Sequence, residues 1–291
     1  MKRLIALTVV LTLALFAGCK EKSPEEKGKE ALKAAAEKIP DSPEKVALEA
    51  TKAAKDGNYV LIYAMLPDSY QADLQAMYKK FADKVDPEMY NKVWAVAEKA
   101  IAAVKKNKDK IAEGGMLPKE MLEQGLTTAE AVLALVKELK INDAATMKSL
   151  DFAAFLADNG PKLHEFGWKT AEAFQKEEAA SVKGMMESLK AELKGEIKDD
   201  KATVTITIGE EVQDTEFVKV EGKWIPADIA AMWPKFKEET NKNIDEALAE
   251  MEKNKDKMNE LLTQAEAAVT AFEKDGNMEA LAPLMGAMGG M

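Results

Sequence analysis

From Ser42 onward, apolar residues recur mostly every three or four positions, which is the spacing of one face of a helix. Ser42 and Pro43 supply a start signal, and Val46, Ala50, Ala53 and Ala54 follow on one side. Asp56-Gly57-Asn58 stops that helix, with Gly57 in the left-handed cap position. "YVLIYAML" at 59–66 is almost wholly apolar and predicts a buried segment. Pro67 opens a helix bearing Tyr70, Leu74, Met77, Tyr78 and Phe81 on one side. Asp86-Pro87 opens another with the stripe Val93, Trp94, Ala97, Ile101 and Val104. "GGMLP" at 114–118 reads as a loop, and "TTAE" at 127–130 as a capping box ahead of "AVLALVKELK". The run 152–174 reads as two short helices broken at Asn159-Gly160-Pro161, and 179–192 as helical.

The period then changes from between three and four to two. In "ATVTITI", Val204, Ile206 and Ile208 share one face, and Thr203, Thr205 and Thr207 the other. Asp199-Asp200 and Glu221-Gly222 predict hairpin turns, and an antiparallel meander over about 193–226 results. A two-residue turn at Glu221-Gly222 pairs Val218 with Ile225 and Lys219 with Trp224, which sets Phe217 diagonal to Trp224. Apolar residues on both faces predict cover on both sides. From Asp228 the helical period returns, with a bend expected near Pro234. "KDGN" at 274–277 repeats "KDGN" at 55–58, a reused stop signal. The fold class predicted is α+β, predominantly helical, with a small sheet flanked in sequence by helices.

Upstream of Ser42 the pattern is different. Lys2 and Arg3 precede the fourteen uncharged residues Leu4–Ala17, and small residues Ala17 and Gly18 precede Cys19. That is the layout of a secretory signal peptide. As a helix the apolar run would rise about 21 Å, short of the about 30 Å of a hydrocarbon core. "FAGC" at 16–19 resembles the lipobox of bacterial lipoproteins, with Phe16 where that family usually has Leu. The resemblance implies cleavage after Gly18 and acylation of Cys19. Lys20 after the cysteine, where Asp would imply retention in the inner membrane, implies the outer membrane in a diderm cell. Two or more acyl chains anchor a protein stably. The expected organisation is a signal peptide at 1–18, a lipidated cysteine and charged tether at 19–41, a single body at 42–283, and a Met/Gly tail at 284–291. The tether is expected to be unfolded apart from a transient helix across the Ala run at 30–38, because it carries few large apolar residues to offset its ordering entropy.

Composition narrows the function classes. The formal net charge is −10, which repels phosphate backbones and argues against nucleic-acid binding. It offers no general attraction to anionic lipid either, so membrane contact is expected through the lipid. Cys19 is the one cysteine, so no disulfide can form within the chain.

Two stretches, "KAAKDGNYVLIYAMLP" and "ATVTITI … TEFVKVEGKWIP", are similar to parts of the nuclear transport factor 2-like superfamily. That resemblance implies a cone with a pocket between sheet and helices, which Trp224, Phe217 and Thr205 would line. Fold alone would leave the ligand open.

Candidate chemistry is sparse. His164 is the one histidine and stands without a nucleophile motif. Zinc needs more His or Cys ligands than the chain holds, and no phosphate-cradling Gly loop or other cofactor motif is present. Tyr59, Tyr63, Tyr70, Trp94, Trp168 and Trp224 read as core or as the lining of a carbohydrate or lipid pocket. Met285, Met288 and Met291 stand three apart in the tail, and thioethers are soft ligands that select Cu(I). The first reading is a non-catalytic envelope protein that acts as a scaffold or binds a protein partner or ligand; the alternatives are the cone pocket and the Met-tail copper site.

Overall fold

The computed structural model describes residues 22–114 and 118–281. Among them, helices α1 (Pro24–Ala36), α2 (Pro43–Lys55), α3 (Tyr59–Met65), α4 (Asp68–Lys84), α5 (Pro87–Lys106), α6 (Lys108–Glu113), α7 (Lys119–Glu138), α8 (Ala144–Lys148), α9 (Phe152–Phe174) and α10 (Lys176–Ser188) come first. Strands β1 (Lys190–Lys198), β2 (Lys201–Ile208), β3 (Glu211–Val220) and β4 (Lys223–Pro226) follow, and α11 (Ala227–Lys253), α12 (Lys255–Asp275) and a short 3-10 turn (Met278–Leu281) close the chain. The class is α+β and predominantly helical.

The sheet is an antiparallel meander in the order β1-β2-β3-β4. Asp199-Asp200 and Glu221-Gly222 both take positive φ at each position, which is the twist-matched hairpin turn. Val218 pairs with Ile225 and Lys219 with Trp224, as the spacing predicts. The strand begins three residues earlier than the periodicity suggested: Lys190, Ala191 and Glu192 pair with Thr207, Ile206 and Thr205. A register shift between Lys194 and Lys198, with Gly195 at φ 78°, bends the outer strand. One face of the sheet, through Ala191, Ala202, Val204, Phe217 and Trp224, packs on Val46 and Ala53 of α2 and Leu61, Ala64 and Met65 of α3. The other face is covered only in part. Ile225 is buried there while Val212 stands open to solvent.

The charged segment expected to be an unfolded tether is a docked helix from Pro24. Ser23 and Glu26 form a reciprocal capping box, with Ser23 Oγ accepting from the Glu26 N–H at 3.2 Å and Glu26 Oε2 from the Ser23 N–H at 3.0 Å. Ala35 joins the main core, with Leu32 and Ile39 packed against it. The expectation failed because it counted large apolar residues, whereas α1 docks by close approach. At Gly28 an added Cβ would lie 2.0 Å from Asp151 Oδ1.

Three further expectations are corrected. Residues 152–174 form one helix through Asn159-Gly160-Pro161. Pro161 removes one backbone donor, but Gly160 has no Cβ to clash with the proline ring, so the helix continues. Thr127 and Thr128 lie inside α7, where their hydroxyls donate to the carbonyls of Glu123 and Gln124 rather than capping. Ser42 makes no side-chain cap; its hydroxyl donates to Glu44.

A second core joins α5, α6, α7 and α12 through Ala103, Ile111, Leu122, Val269 and Phe272. Buried Asn107 ties its two ends, with Nδ2 donating to Ala103 O at 3.1 Å and Phe272 O at 3.2 Å. On α11, Trp233 stacks on Tyr70 at 4.0 Å between centroids and donates Nε1–H to Asp73. Burial opposes the charge on Asp73, yet the hydrogen bonds from Lys237 and Trp233 hold its carboxyl below the usual range.

Gly28→Ala should lower stability by about 1 kcal/mol, because the methyl displaces the Asp151 carboxylate from the Ala154 N–H that it caps. An undocked helix would instead gain up to ~1 kcal/mol from the same change, so a rise in the urea midpoint contradicts the docking. Burial, reinforced by the Asp151 charge, pushes the Tyr63 phenol up to about 12, and its hydroxyl donates to Gln71 O at 2.8 Å. The folded chain then holds a proton that the unfolded chain releases from about pH 10. This contribution is complete below that pH and falls as pH rises from about 10 to about 12. Unfolding midpoints measured across that range should decline less steeply in Tyr63→Phe.

Candidate functional site

Two breaker motifs about a hundred residues apart in sequence meet in space. Gly57, at φ 69°, closes α2 by letting the Asn58 N–H reach Ala53 O at 2.8 Å. Helix α9 crosses this turn so closely that a Cβ on Gly160 would lie 2.5 Å from Gly57 O, and one on Gly57 would lie 2.7 Å from His164 Cβ. The crossing sets His164 against the first residue of α3, where Tyr59 Oη lies 3.3 Å from His164 Nδ1.

One turn further along α9, the ring of Trp168 stands at 73° to the His164 ring with centroids 5.9 Å apart. Helix α10 folds back along α9 after Gln175. The ammonium of Lys183 sits 5.8 Å from the centre of the Trp168 ring, and the same ammonium lies 4.0 Å from the Glu172 carboxylate. Lys55 pairs with Glu187 at 3.2 Å, which ties α2 to the far end of α10.

Between these helices lies a groove of about 340 Å³, within the usual size of small-molecule sites. Ala54, Ala171, Ala179, Val182 and Met186 give it an aliphatic surface beside Trp168. Tyr59 and His164 form a polar end, and Gln175 and Glu178 stand near the α9–α10 junction. A larger depression of about 540 Å³ on the sheet is lined half by charged residues, among them Glu196, Lys198, Asp199 and Lys201.

His164 bonds to a phenol; no hydrogen bond among the described residues joins it to an orienting carboxylate or a serine nucleophile. Among the described residues no group of His, Cys, Asp and Glu could hold a metal ion.

The residues singled out in the sequence are distributed differently. Phe217 and Trp224 lie diagonal on the core-facing side of the sheet, 3% and 4% exposed, with Trp224 Nε1 donating to Asp41 O at 3.0 Å. Thr205 is on the opposite face and donates to Asp214 Oδ1 at 2.7 Å. The three do not converge, because the pleat sends Thr205 away from the other two and helices α1, α2 and α3 fill the side where they lie. Tyr63 and Tyr70 are buried core residues, and Trp94 is half-buried. Tyr59 and Trp168 do meet, around His164. Cys19, Met285, Met288 and Met291 lie outside the described residues. Of the groove's aliphatic residues the sequence singles out Ala54 alone, as part of a helix stripe. The available signal was His164, Trp168, Ala171 and Gln175, spaced four, three and four on one helix face.

No protein-family profile matches the chain, and no curated protein or solved structure is significantly similar to it. The groove's geometry and the sequence motifs therefore carry the functional reading.

Tyr59→Phe should lower stability by about 1 kcal/mol through loss of the hydroxyl–imidazole bond. The protein's single histidine gives one imidazole resonance set, and Tyr59→Phe should move it. An unchanged imidazole spectrum would show that the pair does not form.

Proposed function

We propose that the chain is a lipid-anchored protein of the bacterial cell envelope, non-catalytic, which binds a small apolar ligand in the groove between α2, α3, α9 and α10. The observation that carries the anchoring is "FAGC" at 16–19 behind a basic and apolar leader. Lys20 favours the outer membrane in a diderm cell, with the body facing the periplasm. No helix of the described residues is long and apolar enough to cross a membrane.

Helix α1 starts at Pro24, five positions after Cys19. Even a fully extended link of that length spans at most about 18 Å. On this reading the body rests close to the headgroups rather than being held off by a long tether. The groove supports ligand binding because an aliphatic surface with a polar end is the usual composition of a small-molecule site.

Mass spectrometry of the N-terminal peptide from native membranes should find acyl chains on Cys19, and Cys19→Ser should leave an uncleaved precursor. An unmodified thiol in processed protein, or full membrane retention of a processed Cys19→Ser chain, contradicts the anchor.

A further inference from the structure

We propose that the groove between α9 and α10 binds one free fatty acid, with its carboxylate at the Tyr59–His164 end and its chain along Trp168, Ala171, Ala179 and Val182. This deepens the reading of the groove as a binding site and rests on it. Length is the first argument. From His164 to Gln175 the groove follows α9 for about 16 Å, the reach of a medium-length acyl chain. Shape is the second. Among the described lining residues the one aromatic ring beyond the polar end is Trp168, and Lys183 already sits over it at 5.8 Å. A flat ring would have to displace that ammonium, while a flexible chain can lie along the alanines beside it.

Charge is the third argument. When the Tyr59 hydroxyl donates to Nδ1, the neutral imidazole carries its proton on Nε2, where it can donate to a carboxylate. The Lys183 ammonium sits part-way along, above Trp168, and is paired with Glu172. Three acids on α9 and α10 are paired with lysines: Glu187 with Lys55 at 3.2 Å, Glu165 with Lys169 at 2.6 Å, and Glu172 with Lys183 at 4.0 Å. Glu178 belongs to the opposite end, beside the α9–α10 junction. The groove thus offers a hydrogen-bond donor at one end and aliphatic contact along the middle.

The test uses the full acylated chain in phosphatidylcholine vesicles and a photoreactive dodecanoic acid. After irradiation, label should map to peptides spanning 164–186, and unlabelled dodecanoate should compete at least ten-fold better than dodecyltrimethylammonium. Ala171→Trp, which fills the groove, should reduce the label at least ten-fold. Because that variant can disturb packing, saturable competition on the unaltered chain is the second readout. Label that is unsaturable, maps elsewhere, or is matched by a photoreactive phosphatidylcholine overturns the fatty-acid assignment. If another small molecule then moves the His164 resonance, the groove remains a binding site for that ligand. If nothing moves it, the binding reading falls as well, while the acylation of Cys19 is judged on its own mass.

Discussion

The contact on which the candidate site depends is between two backbones, at Gly57 and Gly160. A single methyl at either position would collide with the other segment at under 3 Å. Two hydrogens in place of two side chains therefore let α9 lie directly on the α2–α3 turn. From that crossing follow the seat of His164 on Tyr59, the line of α9 past Ala54, and the angle at which α10 returns over Trp168. Interiors at crystal-like density transmit such a constraint, because neighbouring side chains have no free volume in which to absorb it.

The same principle explains α1. Its sequence is rich in Lys and Glu, and taken alone it would not fold stably. Gly28 brings its backbone onto the cap of α9, and Leu32 and Ala35 complete the core above α2 and α3. Asp151 is shared between the two: it caps α9 through the Ala154 N–H and forms the floor under Gly28. The charged face of α1 remains in solvent, with pairs such as Lys29–Glu25 fully exposed. Such pairs contribute little, so docking and capping hold the helix.

The groove exists because α9 and α10 are joined by one residue and then separate around small side chains. Ala171 and Ala179 both line it, where larger residues would narrow the space. Trp168 and Met186 bound it, and the lysine pairings on α2 and α9 neutralise the nearby acids. It is an apolar cleft with polar ends, built on helices rather than on the sheet. The sheet's inner face is spent on the main core, where Phe217 and Trp224 are packed.

Local periodicity determined most of the elements. The helical spacing of Val46, Ala50 and Ala53, the alternation in "ATVTITI", the hairpin turns and the register of Val218 with Ile225 all depend on near neighbours, and the structure holds them as read. The lipobox-like run ending at Cys19 is likewise a property of sequence. What tertiary structure decided is which segments touch. Glycine and proline at 57 and at 160–161 read alike as interruptions, yet one ends a helix and the other lies within one. The difference is set by a partner about a hundred residues away, since a missing Cβ marks a turn or a close crossing equally well. For the same reason Tyr59, His164 and Trp168 each read as an ordinary core or surface residue alone, and become a site only where two glycines let their helices meet.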